Sequence, residues 1–283
     1  MIPNGFAGPL TEDFSTRFAG ISRLFGPAAL AGLRQAHVAV VGLGGVGSWT
    51  VEALARSGIG ALTLIDLDEV CLSNVNRQLP AIDGAFGQFK AEVLAERVRR
   101  IHPECRIQPV VEFFTESTAE RLLAGGYSAV VDAIDAVGNK ARLLAGCRAR
   151  GIPVIACGGA GGRTDPTRLR CVDLAEASHD RLLSAVRRQL RRDYGFPGTG
   201  KPMEIACVVS TEPVVLPPAE CEGGAGDGTA TETVEAEDRG SKRLGCDWGY
   251  GSAAFVTGAF GFAAASWVVR RLTQGAVATS PGR

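Results

Sequence analysis

His37–Asp68, HVAVVGLGGVGSWTVEALARSGIGALTLIDLD, reads as strand, glycine turn, helix and second strand. Val38–Val41 is short, apolar and β-branched, as a strand buried on both faces should be. In the turn that follows, Gly42 lets the chain reverse sharply. Gly44 and Gly45 carry no side chain to block a phosphate, and Gly47 lets the next helix approach the strand. The helix Val46–Arg56 aims its free N–H groups and positive dipole end at that phosphate. Ala61–Ile65 is the second strand and ends at Asp66, 24 residues after Gly42, at the spacing expected of an acid that accepts from ribose hydroxyls. The unit therefore binds a nucleotide. A nicotinamide dehydrogenase would share every feature named so far.

Working outward, strand and helix patterns alternate. An amphipathic helix is expected over Lys90–Ile101, then a strand over Arg106–Glu112 and a helix over Ser117–Ala124. A strand over Ser128–Ile134 ends at Asp135, and a helix over Asn139–Arg150 leads to a strand over Val154–Cys157. This alternation predicts an α/β, Rossmann-like, doubly wound and mostly parallel sheet. Residues 1–36 are expected to be an N-terminal arm with one short helix over Ala28–Arg34. The ATP-binding core is expected over 37–168. An irregular C-terminal extension, 169–283, would hold strands Leu169–Asp173 and Ile205–Ser210, a basic helix Asp180–Asp193, a mobile loop 217–241 and an apolar helix 252–270.

Composition excludes several classes. The eight cysteines, at 71, 105, 147, 157, 171, 207, 221 and 246, include no C-x-x-C pair, so neither a zinc ribbon nor a disulfide framework is expected. No secretory leader is expected from the N-terminus, which points to a cytoplasmic protein. Trp248–Val269 is uncharged and long enough to span a bilayer, but its glycines, alanines and serines dilute its apolarity. A buried core or dimer-interface helix is the preferred reading over a membrane contact. The net charge of zero hides a basic stretch, Arg163–Lys201, followed by an acidic one, Glu212–Asp238.

The residues after Asp66 separate carboxylate activation from redox chemistry. Asp68, Asn74, Arg77, Gln78 and Lys90 follow in order. A dehydrogenase has no need of the Asn, Arg, Gln and Lys in this order beside its ribose acid, whereas a triphosphate does. Arg77 can grip phosphate oxygens with parallel N–H bonds, and Lys90 supplies a point charge. Asn74 and Gln78 can fix ribose or phosphate orientation. Asp135, at the carboxyl edge of the sheet, suits Mg²⁺, which takes one or two protein oxygens and keeps its waters.

GLGGVGS, LIDLDEVCLSNVNRQ, GQFKAEVLAERV and DAIDAVGNK resemble the adenylating enzymes related to ubiquitin-activating enzyme, MoeB, ThiF and HesA. The resemblance implies ATP and Mg²⁺, and the joining of a carboxylate to AMP. It assigns Asp66 to ribose, Asn74, Arg77, Gln78 and Lys90 to the phosphates, and Asp135 to the metal. It also implies a homodimer in which an N-terminal arginine, Arg17 or Arg23, reaches the partner's ATP. A narrower set, GGAGGRTDPT (158–167), VVSTE (208–212) and KRLGCDWGYGSAAFVTGAFGF (242–262), resembles the family of tRNA threonylcarbamoyladenosine dehydratases. That branch implies ATP-dependent cyclisation of threonylcarbamoyladenosine in tRNA through a carboxyl-adenylate. The alternative within the superfamily is adenylation of the C-terminal glycine of a ubiquitin-like sulfur carrier.

Two features lie outside the nucleotide unit. Cys246 follows Lys242-Arg243, whose charge would lower a thiol pKa. Related enzymes use a loop cysteine for thioester or persulfide chemistry, so Cys246 is a candidate catalytic residue. A cysteine desulfurase or sulfur acceptor is a candidate partner. Arg187–Arg191 and Arg188–Arg192 repeat at i,i+4 on one helix, a slightly destabilising pattern that tRNA phosphates would reward.

Overall fold

The computed structural model describes residues 10–215 and 250–277, the side chains of 275–277 excepted. The loop 217–241, Cys246 and the first two residues of the 248–269 segment lie outside the described residues. Seven strands form one sheet: β1 (His37–Val41), β2 (Ala61–Ile65), β3 (Arg106–Val110), β4 (Ala129–Asp132), β5 (Val154–Cys157), β6 (Leu169–Asp173) and β7 (Ala206–Ser210). Their order is β3-β2-β1-β4-β5-β7-β6. All neighbours run parallel except β6, which pairs antiparallel with β7 at the edge. The doubly wound α/β reading holds. The order reverses between β1 and β4, which is where an open sheet of this kind leaves a crevice for a ligand. The strands expected in the C-terminal extension join this same sheet.

Each face of the sheet carries its own core, as period-two alternation requires. Val38 and Val40 of β1 pack on one side with α4 (Gly45–Arg56), α5 (Lys90–Ile101) and α9 (Ala254–Val277). Ala39 and Val41 pack on the other with α6 (Glu116–Leu123), α7 (Val137–Ala149) and α8 (Arg181–Asp193). All five β1 residues are buried. The thiols of Cys105, Cys147 and Cys157 are pushed up to about 12 by burial, which leaves them inert.

The uncharged C-terminal segment becomes α9, a core helix seated on α4. Gly261 makes the contact possible: a Cβ there would sit 2.6 Å from the Val46 carbonyl oxygen. Thr50 Oγ1 donates to the Gly261 carbonyl at 3.2 Å and locks the crossing. Among the described residues no helix is long and apolar enough to cross a membrane.

The N-terminal region differs from expectation. Instead of one short helix there are three, α1 (Glu12–Arg17), α2 (Ala19–Phe25) and α3 (Pro27–Gln35). Phe14 and Phe18 bury their rings against His102, with centroids 5.3 and 4.9 Å away. Helices of six and seven residues are too short to be stable alone, so this docking holds them, helped in α1 by the Thr11 cap on Phe14 N.

Candidate active site

The glycine turn is as tight as its sequence implied. Gly42 has φ +86°, and a Cβ on it would meet the Ala133 carbonyl oxygen at 2.7 Å. A Cβ on Gly47 would fall 1.8 Å from the Gly42 carbonyl oxygen, so α4 starts in contact with the turn. A Cβ on Gly44 would meet only Gln78 Nε2, at 3.9 Å, and one on Gly45 would meet Thr257 Cγ2 at 3.1 Å. The turn is thus faced by Gln78 on one side and by α9 on another.

Asp66 is 7% exposed at the end of β2. One oxygen accepts from the Leu43 N–H at 2.6 Å and the other from the Asp68 N–H at 2.8 Å. Each keeps a further lone pair for a hydroxyl. Asp66 therefore shapes the glycine turn. Burial raises its carboxyl above the ordinary value, opposed by Lys90 and by the two N–H donors.

Lys90 begins α5 and is 6% exposed. An isolated antiparallel bridge, Glu69 to Phe89, draws its backbone to the loop after β2. Its ammonium pairs with Asp68 at 3.0 Å. Arg77 is half-buried, with Nη1 donating to the Ser73 carbonyl at 2.8 Å and to Asn76 Oδ1 at 2.9 Å. Its own carbonyl is gripped from two sides, by Trp49 Nε1 at 3.1 Å and Thr257 Oγ1 at 3.2 Å, so α4 and α9 together fix the loop. Asn74 is buried and its Oδ1 caps the local turn by accepting from Cys71 N. Gln78 is buried with its Oε1 unpartnered, while its Nε2 is the atom nearest a Cβ position on Gly44, at 3.9 Å.

Asp135 departs from the expected strand. β4 ends at Asp132, and Asp135 sits exposed three residues beyond it at the carboxyl edge. The buried pair that sequence reading missed is Asp132 with Lys140, 3.1 Å apart and both fully enclosed. Burial pushes the Asp132 carboxyl up to about 6, against Lys140 and the Ile134 N–H. The only sequence signal was the repeated acid in Asp132-Ala-Ile-Asp135 and a lysine in the first turn of the helix after it.

Arg17 and Arg23 are not brought to this chain's own site. Arg17 pairs with Asp13 at 2.6 Å and donates to the Ile101 carbonyl, at the opposite end of α5 from Lys90. Eleven residues of helix separate those ends, roughly 16 Å. Arg23 is exposed at the end of α2.

The first two motifs of the narrower resemblance and the described part of the third, from residue 250 on, meet in space. Glu212 accepts from the backbone of Thr164 and Asp165 and from Thr164 Oγ1, which holds its carboxyl below the usual range. Gly162 donates to the Gly251 carbonyl at 2.7 Å and accepts from Val215 N at 2.8 Å. Asp180 caps α8 and accepts from Gly159 N at 2.8 Å. These contacts gather the 158–167 turn, the end of β7 and the start of α9 at the carboxyl edge beyond β5.

The ThiF family, as a sequence profile, matches residues 18–281. The chain belongs to the ThiF family. Within it, the tRNA threonylcarbamoyladenosine dehydratase of Haemophilus influenzae is 45% identical over 93% of this chain and 95% of its own length. The enzyme of that name from Escherichia coli is 44% identical over 93% and 96%. The solved structure of the E. coli dehydratase in complex with ATP superposes with TM-score 0.82 at 39% identity, covering 96% of this chain and all of that one. The likeness therefore runs through the C-terminal strands and α9 as well as the nucleotide unit.

Proposed function

We propose that this protein is an ATP-dependent tRNA threonylcarbamoyladenosine dehydratase. The observation that carries this reading is the meeting of Gln78, Lys90 and the ribose acid Asp66 around the glycine turn at the sheet's switch point. The near full-length likeness to dehydratases, one of them solved with ATP, supports it.

In this reading ATP lies over the turn, with its ribose on Asp66 and its phosphates between Asn74, Arg77, Gln78 and Lys90. The threonine carboxylate of the modified adenosine attacks the α-phosphorus, and the bond to pyrophosphate breaks. Lys90 and Arg77 offset the charge that grows on the departing phosphates. The carbamoyl group of the same side chain then attacks the adenylated carbonyl, closes a ring and expels AMP. Attacking and attacked groups share one side chain, so the protein has mainly to position them and exclude water. No protein thiol is required, which leaves Cys246 outside the necessary chemistry.

Mg²⁺ fits the residues present. Among the described residues no cluster of three or more His, Cys, Asp or Glu could form a cage of its own. An exposed Asp135 beside the phosphates is the donor set Mg²⁺ uses, and the ion when bound would offset phosphate charge. We place the protein in the cytoplasm as a homodimer. Arg17 or Arg23, held away from its own chain's site, would serve the partner's.

The deciding experiment is mass spectrometry of tRNA nucleosides after incubation with the protein and ATP. Threonylcarbamoyladenosine is expected to lose the mass of one water as AMP forms. Unchanged tRNA, with ATP–pyrophosphate exchange stimulated by a sulfur carrier ending in Gly-Gly, would replace this reading with the adenylating alternative.

The tRNA surface is narrower than the charge pattern of α8 suggests. Arg187 donates to the carbonyls of Leu174 and Ala177, and Arg191 to that of Pro197, so both are structural. Arg188 is exposed, and Arg192 extends outward beside Asp193. Replacing Arg188 and Arg192 by Gln is expected to weaken tRNA binding and to flatten the slope of log affinity against log salt by about one to two. An unchanged slope in a filter-binding titration would remove α8 from the interface.

A further inference from the structure

Lys140 is a fully enclosed ammonium one turn into α7, and nothing in the proposed chemistry touches it. It spends its bonds on one short stretch of backbone. Nζ donates to the Asp132 carbonyl at 3.2 Å and to the Ile134 carbonyl at 3.0 Å, and it pairs with Asp132 Oδ2 at 3.1 Å. The other oxygen, Asp132 Oδ1, accepts from Ile134 N at 3.1 Å. A buried ion pair is costly to desolvate and is a weak source of stability. What this one supplies is geometry, because every bond fixes residues 132–134, the three that precede Asp135. The same stretch lies against the glycine turn, through the contact of Ala133 with Gly42. Charged groups that do not touch a metal but hold its ligand act on affinity through orientation.

We infer that Lys140 is the positioning residue of the divalent-cation site, holding the 132–134 backbone so that Asp135 sits at a fixed place beside the glycine turn. The inference rests on the proposed role of Asp135 as the cation ligand. Asp132 is its counter-charge and not a ligand, since it is wholly enclosed.

The test is electron paramagnetic resonance of Mn²⁺ bound to the protein saturated with a non-hydrolysable ATP analogue. Asp135→Asn sets the reference, and binding of the metal-free analogue is measured in parallel. Lys140→Met alone would strand a buried carboxylate, so the decisive variant is Asp132→Asn with Lys140→Met, which removes both charges. It is expected to melt near wild type and bind the metal-free analogue normally, yet to hold Mn²⁺ roughly 10- to 100-fold more weakly. Asp132→Asn alone strands the buried ammonium and is expected to melt lower, but it keeps the two carbonyl bonds, so the folded protein is expected to stay within about threefold of wild-type Mn²⁺ affinity. Wild-type Mn²⁺ affinity in the double variant would overturn the inference. So would a failure of both variants to fold, since the pair would then hold the sheet and not the cation. If Asp135→Asn itself leaves Mn²⁺ binding intact, the assignment of Asp135 falls instead.

Discussion

Lys90→Met is expected to slow AMP formation on modified tRNA by roughly 10²- to 10³-fold while leaving the melting temperature almost unchanged. The two halves of this expectation have separate causes. Lys90 is buried, but its ion pair is with Asp68, whose side chain is about half exposed at 52%. Such a pair contributes roughly 0–1 kcal/mol, because solvent screens it and two long side chains must be ordered. Methionine also refills the volume of the lysine stem, so little packing is lost. The chemical step is different. In the proposed chemistry, as the bond between the α- and β-phosphates breaks, negative charge collects on oxygens that Lys90, at the start of α5, would offset. Removing one preorganised donor from such a site costs about 3–4 kcal/mol of transition-state stabilisation. Pyrophosphate release under single-turnover conditions, alongside a thermal melt, measures both halves. Asp68→Asn is the control: it breaks the same ion pair and keeps the cation. A Lys90→Met rate within about threefold of wild type, or an equal loss in Asp68→Asn, would reduce Lys90 to a partner of Asp68.

What could be read from the sequence follows a physical divide. The β1–α4–β2 unit was legible because buried strands, glycine turns and strand-end acids are each dictated locally, and Gly42, Gly47 and Asp66 stand where that logic puts them. α9 was legible as a core helix because its diluted apolarity argued against lipid. Asp132 and Lys140 were hidden, since a charged residue on an apolar strand end reads as the end of burial, whereas here two charges are buried together. Asp135 was misplaced onto the strand for the same reason: the apolar run continues to Ile134, while the ladder stops at Asp132. α1 and α2 were missed because their local signals, a Thr11 cap followed by Glu12 and Asp13 in α1, are too weak to hold helices of six and seven residues without the docking of Phe14 and Phe18 on His102. The arginines of α8 show the converse. Their spacing suggested a basic face, but two of the four fold back onto carbonyls, a contact that no spacing rule reveals.

The glycine turn separates folding from binding more sharply than any other feature, and a pair of substitutions exposes the difference. Gly47→Ala is expected to destabilise the protein by about 3 kcal/mol or more, the upper range for overpacking. The added carbon would fall 1.8 Å from the Gly42 carbonyl oxygen, and the obstacle is backbone, which no rotamer change can move aside. Relief would require α4 to retreat from the turn, breaking its contact with α9 through Gly261 and Thr50. Gly44→Ala meets only Gln78 Nε2 at 3.9 Å and is expected to unfold at the wild-type urea midpoint. Its methyl group instead enters the space assigned to the phosphates and is expected to weaken ATP binding by about tenfold or more. Urea denaturation and nucleotide titration of both variants resolve the two effects. A stable Gly47→Ala would mean that the turn can reshape without cost. Full ATP affinity in Gly44→Ala would move the phosphates off the turn. If each variant fails in its own assay alone, Gly47 sets how closely the helix may approach and Gly44 sets how closely the ligand may.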